Sequence, residues 1–194
     1  MKLHRLFFSL MPLLLLFISG CSPQDSSSST AAPVKREVSL VTLSTQAKGF
    51  AVGALMSNNV VYVFFDPQCP HCGHLWQASE ALQKKVRFVW IPVSMVNATS
   101  LAQGAALLTA VNPSVLMAQH EASLLAGQGG ISASSGIAPE IEKAIKNNTQ
   151  LLNGFGAESV PFVVAKNQKS GQTVSREGAL SSAALAEFLG LELL

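Results

Sequence analysis

Residues 60–93 predict an α/β fold. Two strand-like apolar runs, Val60–Phe65 and Val86–Val93, enclose a segment of helical period, and strand, helix and strand in that order make a βαβ unit. The remainder of the chain reads as a run of helices, then a hairpin and a closing helix. With 194 residues, 48% of them apolar and 12% charged, the chain can bury one well-filled core once its N-terminal segment is set aside.

That segment, residues 1–20, reads as a secretory signal. Lys2 and Arg5 form a basic start, and Leu6–Ile18 is an apolar stretch of thirteen residues interrupted by Pro12. A membrane-spanning helix needs about 20. Ile18-Ser19-Gly20-Cys21 places a cysteine directly after a small pair and resembles a bacterial lipobox. The resemblance implies that Cys21 is acylated and becomes the new N-terminus. Because Ser22 and not Asp follows, it further implies sorting to the outer membrane of a Gram-negative host. A plain secreted protein with an incidental Cys21 is the alternative. Residues 1–20 hold two of the 13 basic residues and no acids, so the remainder balances 11 basic against 11 acidic residues. A neutral chain gives no reason to expect nucleic acid or an anionic membrane surface as partner.

Residues 21–34, with the run Ser26-Ser27-Ser28-Ser29-Thr30, have almost nothing to bury and read as a flexible tether. The folded domain is expected over 35–194. Val38–Leu43 suits a strand, being rich in β-branched residues with partial alternation. Val60–Phe65, bounded by Asn58-Asn59 and Asp66-Pro67, has the length and flanks of a buried central strand. From Cys69 the period changes: Cys72, Leu75, Trp76, Ser79 and Leu82 share one helical face, and Pro70 fits the first turn, where its missing N–H costs nothing. Val86–Val93 is strand-like again.

A helical insertion follows over about 97–153. Leu101, Ala105 and Leu108 repeat on one side of a first helix; Asn112-Pro113 is a cap and first-turn proline for a second, running to about Leu125. Gly127-Gln128-Gly129-Gly130 breaks the chain. Pro139 opens a third helix using Ile141, Ile145 and Leu152, ended by Asn153-Gly154. Phe162–Ala165 and Thr173–Glu177 form a hairpin, and a last helix spans Ser181–Leu189.

Two cysteines separated by two residues can bind half a zinc site, form a structural disulfide, or exchange disulfides. Structural zinc takes four protein ligands. No second cysteine pair exists, and His71 and His74 with Cys69 and Cys72 would have to wrap one ion within six residues. A structural disulfide here would close a very short ring, where the entropic gain is least. Redox exchange is the better use. The order strand, short loop, Cys, helix sets Cys69 at a helix N-terminus, where unpaired N–H groups and the dipole favour a thiolate and can lower a thiol pKa from ~8.5 to as little as ~3.5. Cys72, one turn in, is shielded and can resolve a mixed disulfide formed on Cys69. Pro70 and His71 tune the poise: His71 can donate to the thiolate or place positive charge beside it, the alternative being a surface histidine without an electrostatic role. His74, outside the ring, reads as a solvated helix residue.

The segment Phe65-Asp66-Pro67-Gln68-Cys69-Pro70-His71-Cys72-Gly73-His74-Leu75-Trp76 resembles the active-site segment of the DsbC/DsbG family of periplasmic thiol:disulfide interchange proteins, its DsbG branch above all. The Cys-Pro-His-Cys tetrad is that of the oxidase DsbA. Leu101–Glu121, with Asn112-Pro113 and His120-Glu121, resembles the helical insertion of the DsbG branch, and Leu151–Pro161 its approach to a cis-proline loop; the similarity covers roughly residues 50–194. It implies a thioredoxin fold with an inserted helical subdomain, no cofactor beyond a redox-active Cys69–Cys72 disulfide, Pro161 as a cis-proline facing the dithiol and Val160 as its substrate-contacting neighbour. A cis X–Pro bond costs only ~0.5–1 kcal/mol intrinsically; an ordinary trans proline at the start of a strand is the alternative.

Three departures bound the resemblance. Between Ser22 and Asn58 there are too few residues for the family's dimerisation domain and linker, so a monomer is expected. Val160 stands where the isomerases usually carry Thr. The buried acid that thioredoxin and DsbA place six residues before the first cysteine is here Val63, and Asp66, beside Pro67 at the strand end, is expected to be solvated. The expected function is a lipid-anchored periplasmic oxidoreductase, reductase or isomerase, exchanging disulfides with secreted proteins and reset by a membrane redox partner. One alternative is a DsbA-like oxidase. Another, of a different class, is a non-catalytic chaperone gripping unfolded chains in a groove near Pro161 lined by Trp76 and Phe162. No metal site or nucleotide loop stands out.

Overall fold

The structure, a computed structural model, describes residues 37–192. The signal segment, the tether and Cys21 lie outside them. The first described element is a helix, α1 (Leu40–Gln46), not the strand expected over Val38–Leu43. On a strand Val41 and Leu43 would share one face, yet Val41 is 72% exposed and Leu43 only 1%. Leu40, Leu43 and Ala47, at helical spacing, all pack into the core, and Ser39 caps the helix by accepting from the Thr42 N–H. Val38, Val41 and Thr42 suit a strand locally, but the burial period of Leu40, Leu43 and Ala47 is helical. The strand stands further on, as β1 (Phe50–Gly53), four residues with Phe50 and Val52 buried. It was too short for alternation to register.

The βαβ unit is as read: β2 (Val60–Phe65), α2 (Pro70–Glu80) and β3 (Arg87–Pro92), with β2 and β3 parallel. Three helices separate β3 from the hairpin, namely α3 (Ser100–Thr109), α4 (Pro113–Leu125) and α5 (Pro139–Gly154). The hairpin strands are β4 (Phe162–Lys166) and β5 (Thr173–Glu177), and α6 (Ser182–Leu189) closes the domain between the Ser181 cap and left-handed Gly190. The sheet order is β1-β3-β2-β4-β5, antiparallel except for the β2–β3 pair.

β2 is central, so both its faces are covered. Val61, Val63 and Phe65 point to one side and share a core cluster with Cys72, Leu75 and Trp76 of α2, Met117 of α4, and Leu185 and Leu189 of α6. Phe64 points to the other and meets Leu43, Leu151, Leu152 and Phe155. The result is three layers, helix on sheet on helix.

Two details of the inserted helices differ from expectation. The buried face of α3 is Ser100, Gln103, Gly104, Ala105 and Leu107, not the stripe Leu101–Ala105–Leu108. Its contacts with the sheet end are small and polar: a Cβ on Gly104 would lie 3.1 Å from Pro92 Cβ. At the end of α5 the left-handed residue is Gly156 (φ 70°), two beyond Gly154, because the helix continues through Gly154.

Candidate active site

Because β2 and β3 are parallel, the loops that leave them emerge at one end of the sheet. The loop from β2 carries Asp66, Pro67 and Gln68 into Cys69, the N-cap of α2 (φ −99°, ψ 109°), with Pro70 in the first turn. Cys69 is 7% exposed and Cys72, one turn in, 0%. His71 and His74 are exposed, their rings 6.4 Å apart. The Val160–Pro161 bond is cis, and the Val160 carbonyl accepts from the Cys69 thiol at 3.4 Å. Cys69, Cys72, Val160 and Pro161, distant in sequence, thus meet at one point.

The two thiols are driven apart electrostatically. Cys69 is lowered to about 6: the Cys72 thiol donates to it, and backbone N–H groups of Cys72 and His71 and the His71 charge add to this, against its own burial. Cys72 is raised well above the ordinary range, first by burial, then by its hydrogen bond to Cys69 and by the Cys69 charge. At neutral pH one sulfur is a thiolate with only a little of its surface open to solvent, and the other is a fully buried thiol.

Asp66 is not solvated. It is 0% exposed and accepts from Gln68 N–H (2.8 Å), Met95 N–H (2.6 Å), Val96 N–H (2.9 Å) and Ser100 Oγ (2.7 Å). Four donors in one place supply what water would otherwise give, so burial of this carboxylate is tolerated. The acid thereby ties the loop before the dithiol to the loop after β3 and to the start of α3.

The insertion supplies the other wall. His120 on α4 is buried; its Nε2 lies 2.7 Å from the Pro67 carbonyl and its Nδ1 accepts the Ile131 N–H at 3.2 Å. Accepting at Nδ1 assigns the proton to Nε2, which donates to Pro67. Burial lowers the His120 pKa, consistent with that neutral ring. Gln68 donates to Gln103 and to the Gly129 carbonyl and accepts from Asn97. Next to His120, Glu121 is 1% exposed and neither of its oxygens has a hydrogen-bond partner. A Cβ on Gly73 would fall 2.7 Å from Glu121 Oε2. Burial, then the Cys69 charge, raises the Glu121 pKa to about 8.

Sequence reasoning missed Glu121, His120 and Gln103. The usable signal was on α4 itself: Met117, His120, Glu121 and Leu124 fall at i, i+3, i+4 and i+7, which puts two polar residues on the helix's inward stripe. Trp76 and Phe162 are only 3% and 5% exposed, Trp76 packed edge-on against Trp90 and Phe162 tilted against Phe64. That removes the surface imagined for a non-catalytic chaperone. No helix among the described residues is long and apolar enough to cross a membrane.

Comparison with known proteins gives no matching family model. The chain is 29% identical to the thiol:disulfide interchange protein DsbG of Pseudomonas aeruginosa over 147 residues, covering 75% of this chain and 56% of the relative. It is 30% identical to DsbG of Escherichia coli K12 over 106 residues, 54% and 42% of the two chains. The chain therefore spans about half the length of the curated relatives it matches. Among solved structures, a periplasmic thioredoxin-like protein from Salmonella enterica serovar Typhimurium superposes with a TM-score of 0.64 at 16% identity, over 80% of this chain and 97% of that one. In sequence the chain is DsbG-like, and in fold it is a thioredoxin-like domain with helices inserted between β3 and β4.

Proposed function

We propose that the chain is a periplasmic thiol:disulfide oxidoreductase, held to the membrane by a lipid on Cys21, that exchanges disulfides with secreted proteins through Cys69 and Cys72. The observation that carries this reading is the opposed pair of thiols, a lowered Cys69 at the mouth and a raised Cys72 beneath it. Cys69 attacks a substrate disulfide and Cys72 resolves the mixed disulfide. Pro70 and His71 set the poise, while the Val160 carbonyl and cis Pro161 offer an extended chain a backbone contact beside Cys69. The reaction needs no cofactor beyond the Cys69–Cys72 disulfide. The chain acts as a monomer, and a membrane redox partner resets its dithiol.

Likeness to the DsbG relatives supports reduction or isomerisation, a duty that extends to lone cysteines oxidised to sulfenic acid. A specific observation favours the oxidase direction instead: the Cys72 thiol, then backbone N–H donors and the His71 charge, stabilise the reduced thiolate, which makes a disulfide more oxidising.

Alkylation of the reduced protein against pH tests the mechanism. Cys69 should titrate near 6, and a midpoint at the ordinary ~8.5 of a free thiol would sink it. Cys69→Ser should abolish turnover of a scrambled disulfide substrate. The potential separates the directions, about −120 mV for an oxidase and about −270 mV for a thioredoxin-like reductant.

A further inference from the structure

Glu121 has no structural explanation of its own. A carboxyl buried without a hydrogen-bond partner costs several kcal/mol when charged, and Glu121 makes none of the bonds that excuse Asp66. The site is nonetheless shaped for it. Gly73 stands in the interior of α2, where glycine costs about 1 kcal/mol against alanine, and a Cβ there would meet Glu121 Oε2 at 2.7 Å and Leu125 Cγ at 3.1 Å. The glycine therefore keeps open the space that the carboxyl occupies, one residue from Cys72. Val63, six residues before Cys69, faces the apolar core and can hold no proton.

We propose that Glu121, carried by the inserted helix α4, is the proton acceptor for Cys72 and is switched on by the covalent capping of Cys69. This rests on the dithiol reading above. While Cys69 is a thiolate, a second anion in the same desolvated space is repelled, and Glu121 keeps its proton. Its pKa of about 8 has that cause after burial. When the Cys69 sulfur bonds to a substrate sulfur, the charge disappears and Glu121 releases its proton to water. The carboxylate, not in hydrogen-bond contact with Cys72 in the reduced structure, then takes the proton from Cys72 Sγ through an intervening water. The Cys72 sulfur attacks the Cys69 sulfur, the bond from Cys69 to the substrate breaks, and the substrate leaves as a thiolate with the electron pair. The substrate disulfide is reduced by two electrons, and the protein dithiol is oxidised to a disulfide. The gate keeps Cys72 inert until there is a mixed disulfide to resolve.

The titratable groups around Glu121 are few. Cys69 and Cys72 belong to α2, and Cys72 feels the Glu121 charge in return. Asp66 at the end of β2 is saturated by four donors, and His120, its neighbour on α4, is held neutral between Pro67 and Ile131. Among the described residues no lysine or arginine pairs with Glu121.

The dependence of the dithiol's potential on pH reads the second proton. Each proton taken up with the two electrons changes the equilibrium constant tenfold per pH unit, about 30 mV. Near pH 7, above the Cys69 pKa of about 6 and below that of Glu121, Cys69 is largely ionised, so Cys72 alone gives close to tenfold. The native protein should exceed this and approach a hundredfold, whereas Glu121→Gln should show tenfold and should slow release of substrate from the mixed disulfide more than its formation. Equal tenfold slopes in both would overturn the proposal while leaving disulfide exchange intact. A dithiol that does not equilibrate with a reference thiol pair would overturn the exchange reading itself. Infrared difference spectra of the native protein need no variant: a protonated-carboxyl band should grow on reduction near pH 7, and its absence refutes the role of Glu121.

Discussion

Two carboxylates are buried beside the dithiol, and their surroundings are opposite. Asp66, at the end of β2, accepts from three backbone N–H groups and a serine hydroxyl; Glu121, on α4, accepts from nothing. Burial alone therefore does not define what an acid does. One whose lone pairs are filled by donors organises the backbone around it, and one left empty is held toward its protonated form.

The largest effect is expected from breaking the filled site. Asp66→Ala leaves four donors without an acceptor and two loops unjoined, and should destabilise by about 3–5 kcal/mol in denaturant unfolding. A loss below ~1 kcal/mol would mean that water reaches the site and that the contrast between the two acids is false. Smaller, and aimed at the empty site, is Gly73→Ala. The helix gains about 1 kcal/mol in propensity, but the new methyl collides with Glu121, so a net loss of about 1–2 kcal/mol is expected. In a Glu121→Ala background the same change should cost less, because the colliding oxygen is gone and only the Leu125 side chain, 3.1 Å away, must give. A double-mutant cycle with no coupling would show that the two residues do not compete for space.

The third test, Glu121→Gln, is read from its pH dependence and not at a single pH. Folding raises the Glu121 pKa from the ordinary carboxyl range to about 8. The folded, reduced protein therefore holds this proton more tightly than the unfolded chain. Stability from this group is complete below about pH 4 and declines as the pH rises toward 8. Glutamine does not titrate. The melting temperature of Glu121→Gln relative to native should thus rise between pH 5 and 8, and a flat difference would contradict a buried, proton-holding Glu121.

The contrast also explains what could be read from sequence. The dithiol, α2, the central strand and the hairpin are local patterns: a run of six apolar residues, a change of period, a proline in a first turn. Their physics lies within a dozen residues, and the structure places them as the sequence suggests. Asp66 was misjudged because its donors come from Met95, Val96 and Ser100, about thirty residues away. Glu121 was passed over because its partner in space is an absence, the missing side chain of Gly73. α1 was mistaken for a strand because Val41 and Thr42 suit strands locally, whereas packing of Leu40 and Leu43 into the core decided the matter.

The Asp66 clamp has one more consequence. Met95 and Val96 are 40% and 50% exposed, two apolar side chains standing in water at the end of the sheet where Cys69 opens. Their backbone amides are locked to the same carboxylate that holds the loop into Cys69. The conformational entropy of both loops is lost once, when the chain folds, and is not lost again at each encounter. Whatever approaches that end of the sheet meets two apolar side chains on backbone that is already fixed, so little further ordering of these loops is needed.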